Sequence, residues 1–288
     1  MMTMNKLKLM LDKKIVTLFI LFSNALVTNS QVTLNADGPG NTYELITSVF
    51  APGNGVNSVE APDVIHPSFG RHINEIFDAD LNKYVFEFYS HVSTDNDPVT
   101  LYTDRQRVEV KTYAGSPDNL KGTIGETVTY KWRFKVPVGF QPSSNFTHIH
   151  QIKAVDGDDS NPLFTLTPRK GTPNKLELIY TKDNNSGTDK KIIVNLSLFE
   201  GIWVEATEII KIGATGTYSI AINKVSDGTS ILSYSNENIA TIRPDNSFIR
   251  PKWGIYRSLT DVSSLRDESI RFSDFSISEL CVRRISVN

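Results

Sequence analysis

From Tyr43 onward the chain runs in short stretches of alternating or β-branched residues, each closed by a cluster of Gly, Pro, Asn or Asp. Such stretches span residues 43–49, 83–91, 106–113, 127–136, 147–154, 163–168, 175–180, 191–198, 203–212, 216–224, 231–236, 252–257 and 269–278. The breaks are turn formers, as in Pro117-Asp118-Asn119, Asp156-Gly157-Asp158 and Asp227-Gly228. A strand sends successive side chains to opposite faces, so runs of this kind bury one face and wet the other. Helical periodicity is scarce, with one short helical turn expected at 78–82. Many strands at even spacing, no internal repeat and no Pro- or Ser-rich linker predict a single all-β domain, a two-sheet sandwich of the jelly-roll type.

The start of the chain has a different character. Lys6, Lys8, Lys13 and Lys14 precede an apolar run over 15–27, and Thr28 and Ser30 supply small residues before Gln31. This is the pattern of a signal peptide over 1–30, which implies a secreted protein whose domain spans 31–280, with 281–288 as a tail. The apolar run is shorter than the ~20 residues needed to span a bilayer, so no membrane partner is expected. A formal net charge of −2 gives no bulk attraction for nucleic acid. Cys281 is the only cysteine, which excludes an intrachain disulfide. A monomer stabilised by core packing is expected.

Three segments carry chemistry. Arg107-Val-Glu109-Val-Lys111 sets two cations and a carboxylate on one strand face. Phe146-Thr-His148-Ile-His150-Gln151-Ile-Lys153 packs two of the five histidines beside an amide and an amine. Strict alternation there puts Gln151 and Lys153 on one face, with His148, His150 and Ile152 on the other. Lys252-Trp-Gly254-Ile-Tyr256 aligns Lys252 with Tyr256, and Arg257 follows. Each segment alone fits a solvated strand face or core packing. Together, if brought side by side, they make a cleft for an anionic polymer.

In that order along the chain, the trio resembles the motif set of jelly-roll, concanavalin A-like polysaccharide lyases. The alginate lyases of that group carry Arg-x-Glu-x-Arg, Gln-Ile-His and Lys-x-Gly-x-Tyr. This chain has Lys153 in place of the histidine, and a Lys/Tyr pair is more similar to secreted bacterial ulvan lyases, or more loosely to glucuronan and heparin lyases. The resemblance implies β-elimination at a uronic acid. Lys153 and Tyr256 would act as base and acid, while Arg107 and Gln151 neutralise the uronate carboxylate. His148, His150, Lys111, Arg169, Lys252 and Arg257 would bind substrate, with Lys170, Arg71 and His72 as further cations for sulfate. A lysine base needs a pKa well below ~10.4, which burial and neighbouring cations favour. If Lys153 stays charged, Tyr256 serves as both base and acid.

No cofactor is expected for catalysis. Glu44 and Asp274 are the candidate ligands of a structural calcium, with the loop Asp156-Gly-Asp158-Asp159 as an alternative. The rival functions are a non-catalytic carbohydrate-binding module, which would present Trp132, Trp203 or Trp253, and a glycoside hydrolase. The hydrolase needs two carboxylates facing one cleft. Glu205 and Glu208, the nearest pair, fall on opposite strand faces.

Overall fold

A computed structural model describes residues 25–53 and 58–284. Residues 1–24, most of the expected signal peptide, lie outside the described residues, as do the last four of the expected tail. In chain order the elements are β1 (Ala25–Leu34), α1 (Thr42–Phe50), β2 (Val59–Glu60), β3 (Ile73–Asp78), β4 (Lys83–Ser90), β5 (Arg105–Lys111), β6 (Thr127–Lys135), β7 (Thr147–Val155) and β8 (Phe164–Arg169). There follow β9 (Lys175–Tyr180), β10 (Asp189–Asn195), β11 (Val204–Lys211), β12 (Gly216–Lys224), β13 (Ser230–Ile239), β14 (Phe248–Ser258) and β15 (Glu268–Arg284).

Two antiparallel sheets form the sandwich expected of the strand pattern. One has the order β13-β12-β11-β6-β15-β4-β3, with β1 also paired to β15; the other runs β10-β9-β8-β7-β14-β5-β2. Between them lie Phe86, Phe88, Trp132, Phe134, Trp253, Ile255 and Phe272, all shielded from solvent. Among the described residues no helix is long and apolar enough to cross a membrane.

Three local expectations are corrected. Residues 43–49 are helical, because the side chains that bury are Thr42, Ile46 and Phe50, spaced by four so that they stack on one helix face. Residues 79–82 form the turn of the β3–β4 hairpin rather than a helical turn, with Asp78 Oδ1 accepting the N–H groups of Asp80 and Leu81. The tail is also strand as far as Arg284, since β15 pairs with β1 from Leu34↔Phe275 to Ala25↔Arg284. That ladder begins inside the segment read as leader.

One glycine shapes the site. At Gly254 φ is +148°, and a Cβ there would sit 2.0 Å from the carbonyl oxygen of Val108 on β5. At this point β14 gains a residue on β7: its register steps from Trp253↔His150 to Tyr256↔His148. This is a β-bulge, which re-aims the side chains beyond it.

Candidate active site

The three motif segments lie on adjacent strands, β7-β14-β5, and meet in rows across the outer face of their sheet. Tyr256 stands opposite Arg107 on one neighbour and His148 on the other, while Lys252 stands opposite Lys111 and Gln151. Val108, Val110, Trp253 and Ile255 turn into the core between them.

Alternation fails on β7. Ile149 joins the hydrophobic core, and the adjacent His150 is also directed inward. Its Nε2 lies 2.9 Å from Glu208 Oε2, its Nδ1 lies 3.0 Å from the Lys252 carbonyl, and its ring packs 4.2 Å from that of Trp132. His150 is therefore a core residue rather than a substrate ligand. Two consecutive inward residues return His148 to the face that carries Gln151 and Lys153, against the expected grouping.

His148 stacks on Phe146 and lies 6.0 Å, centroid to centroid, from the Tyr256 ring. Its Nδ1 is 2.7 Å from Thr167 Oγ1, whose own hydroxyl donates to Thr165 Oγ1. Thr167 must then accept, so Nδ1 carries the proton and Nε2 keeps a lone pair. Desolvation first, then Arg169 and Arg107, push the imidazole pKa down to about 3, so the ring is neutral.

Tyr256 is framed by arginines. Arg105 Nη1 donates to its hydroxyl at 3.1 Å, and the Arg107 guanidinium lies 3.9 Å from its ring centroid in a cation–π contact. Arg105 was not among the expected site residues, although the alternation of Arg107, Glu109 and Lys111 extends to it one step earlier.

The cations of the motif trio are already paired. Arg107 reaches Asp97 at 2.9 Å, Glu109 at 3.0 Å and Glu60 at 3.3 Å. Glu60 also pairs with Lys111, and with Lys252 at 2.5 Å, while Gln151 donates to Glu109. Burial works to raise the Glu60 pKa, but Lys252, Lys111 and Arg107 together hold it below the usual range. Desolvation drives buried Lys252 down to about 8. Arg107, Lys111 and Lys252 thus offset three carboxylates and form a rigid support under Tyr256. Glu60 and Asp97 come from β2 and a loop, where no sequence signal marked them.

Lys153 lies elsewhere on the same face. It pairs opposite Arg250, five residues from His148, or roughly 16 Å along a strand at ~3.3 Å per residue. Its amine donates to the carbonyls of Asp159 and Ser160, and its pKa is lowered chiefly by desolvation. The phenol and this amine are not brought together. Arg257, next to Tyr256, turns inward, where it is buried on Gln106 and the Arg266 carbonyl. Arg169 does reach the site region, lining with Phe146, His148, Thr165 and Lys190 a cleft of about 420 Å³. Lys170 pairs with Asp261.

The expected calcium ligands are engaged separately. Glu44 is forked by Arg71 at 2.6 and 2.7 Å, and Asp274 pairs with Lys83 and Arg133. Asp158 Oδ2 accepts the N–H of Asn184 and Asp156 Oδ2 the hydroxyl of Ser247. The rival functions find little in the geometry. Trp132, Trp203 and Trp253 are all buried, Glu208 is in the core, and Glu205 pairs with Lys131 and Arg133.

No protein-family profile matches the chain, and no curated protein does. Solved structures are similar to it. An endo-β-1,4-glucuronan lyase from the fungus Trichoderma reesei aligns at 18% identity and a TM-score of 0.51, over 71% of this chain and 85% of that one. The marine PL-14 alginate lyase from Aplysia kurodai aligns at 12% identity and 0.54, over 85% and 97%. Alginate lyase A1-II′ of polysaccharide lyase family 7 gives 15% identity and 0.53, over 78% and 94%. The fold is that of jelly-roll polysaccharide lyases. At these identities the likeness is one of architecture, which agrees with the resemblance carried by the motif trio.

Proposed function

We propose that this chain is a secreted lyase that cleaves a uronate-containing polysaccharide by β-elimination, with its reacting centre at His148 and Tyr256. The observation that carries the reading is the juxtaposition of a neutral imidazole and an arginine-bonded phenol on adjacent strands beside an open cleft. Elimination removes the C5 proton, turns that electron pair into the C4=C5 bond and expels O4, so it needs a base, an acid and a partner for the carboxylate.

His148 Nε2 is the base; desolvation first, then Arg169 and Arg107, hold its pKa down, and a carboxylate docked near Arg169 offsets only the second of these causes. Tyr256 accepts from Arg105, which leaves its own proton for the departing O4. Arg105, held by Asp104, and Arg169, held by Glu177 and the Ser144 carbonyl, flank the uronate with the exposed part of each guanidinium, whereas Gln151 is buried on Glu109 and belongs to the support beneath the face. Arg107 acts through Tyr256 as a positioning residue, since its polar contacts are spent on Asp97, Glu109 and Glu60. Lys153, remote from the phenol, meets a neighbouring sugar.

The resemblance favours ulvan because Lys153 stands where alginate lyases carry histidine after Gln-Ile, which leaves a Lys/Tyr pair similar to that of ulvan lyases. With His148 at the phenol instead, glucuronan and alginate, the polymers named for the similar structures, stand equal to ulvan as substrates.

The test is ultraviolet absorbance of the conjugated unsaturated uronate during incubation with ulvan, glucuronan, alginate and heparin. We expect product from at least one polymer. Tyr256→Phe and His148→Ala should each lower kcat by about 100-fold or more, whereas Lys153→Ala should mainly raise KM. Absence of unsaturated product from all four polymers rejects the lyase reading. A drop for Lys153→Ala as large as for Tyr256→Phe returns the base role to Lys153.

A further inference from the structure

A second constellation lies outside the reacting centre. His66, His72, His91 and Asp95 each present a ligand atom within 4.8 Å of the others. They come from the two segments flanking the β3–β4 hairpin, so folding assembles them. Asp95 is at the centre: Oδ1 lies 2.8 Å from His66 Nδ1 and 3.2 Å from His72 Nε2, and Oδ2 lies 3.1 Å from His91 Nδ1. Four donors around a zinc ion, with bonds of ~2.0–2.1 Å, form a tetrahedron whose edges are about 3.3 Å. The three contacts from Asp95 to the histidine nitrogens are of that size, and all four ligand atoms lie within 4.8 Å of one another.

The surroundings have the second layer that such a site requires. His72 is fully buried, and its other nitrogen, Nδ1, lies 2.7 Å from Asp63 Oδ1, the carboxylate–histidine pairing that fixes the ring of a metal ligand. Both nitrogens of His72 therefore face carboxylate oxygens, which only accept. Asp95 and Asp63 together supply two negative charges for a divalent cation. Phe69 covers the group, its ring 4.2 Å from His91 and 4.8 Å from His72. Nitrogen-rich donors select a transition metal over calcium.

We propose that His66, His72, His91 and Asp95 bind one zinc ion in a closed, structural site. Four protein ligands leave no position for substrate, so the ion acts as a staple. It ties the segment before β3 to the loop after β4. That loop sends Asp97 to Arg107 beneath Tyr256, and Gln106 on β5 donates to the Asp95 carbonyl, so the staple anchors the frame of the reacting centre.

The test uses the full chain, purified without chelator and then stripped. Elemental analysis before stripping and calorimetric titration with zinc afterwards should each give about one equivalent per chain. Cobalt loading should give visible bands of tetrahedral intensity, and zinc should raise the melting temperature of the stripped protein. Asp63→Asn should weaken zinc binding roughly 10–100-fold, His91→Ala should abolish the cobalt bands, and His148→Ala should keep them. If a variant fails to fold, the wild-type cobalt spectrum decides alone. Octahedral or absent cobalt bands in folded wild-type protein, or equal zinc affinity in folded His91→Ala, would overturn the proposal and leave a hydrogen-bonded histidine cluster.

Discussion

His148 and His150 are identical in type and two residues apart, yet one meets a cleft and the other a buried glutamate. What separates them is the inward turn of Ile149 and His150 together, which no residue-level preference announces. Glu279 shows the same dependence on surroundings. Desolvation, then Glu126 and Asp118, raise its pKa from the usual 4.5 to about 7, and its Oε1 is buried without a partner. Between those values the folded state holds a proton that the unfolded state releases, so this group's stabilisation is present below the lower value and is lost as pH rises through about 7. Glu279→Gln should therefore stabilise the protein by roughly 1–3 kcal/mol at pH 8 and by little near pH 4. Denaturant midpoints across that range check this, and a benefit independent of pH would refute it.

At the scale of elements, the site depends on how β14 is seated. Gly254 brings the strand against the β5 backbone and accompanies the extra residue that puts Tyr256 opposite His148. Any side chain there meets the Val108 carbonyl in a backbone conformation that L residues avoid. Gly254→Ala should cost about 2–4 kcal/mol and reduce elimination more than the stability loss explains, because Tyr256 shifts with the strand. Thermal melts paired with kcat decide it; a variant with unchanged melting would exclude strain at this position. The three motif strands were legible as strands, and the glycine in Lys-x-Gly-x-Tyr stood in plain view. The bulge was not legible, since alternation assumes a regular pleat and a bulge is set by the neighbouring ladder. Residues 43–49 misled for a related reason, their β-branched composition suiting a strand while burial at every fourth position made a helix.

Across the whole molecule, polar networks join parts distant in sequence. His150 on one sheet contacts Glu208 on the other, and Glu208 accepts from Tyr218 at 2.7 Å, with the His150 ring packed against Trp132 and Trp253. Truncating a member leaves a buried acceptor unpaired, so His150→Ala should lower stability by about 2–4 kcal/mol. His148→Ala should melt close to wild type. Equal melting of the two variants would show that the inter-sheet network contributes nothing measurable. The groups under Tyr256 behave similarly: Glu60, Asp97, Glu109, Arg107, Lys111 and Lys252 come from four separate stretches and compensate one another.

The sequence by itself determined the all-β sandwich and the three strands that share one face, because period-two patterning and turn residues act locally. It also named Tyr256, Arg107 and Gln151 as candidates, and these lie on adjacent strands of one sheet. Only the tertiary structure decided which histidine meets the phenol, that Lys153 stands apart from it, that Arg257 is buried, and that His66, His72, His91 and Asp95 converge. Those outcomes depend on strand register and on contacts between residues far apart in the chain, and neither is written in the spacing of nearby residues.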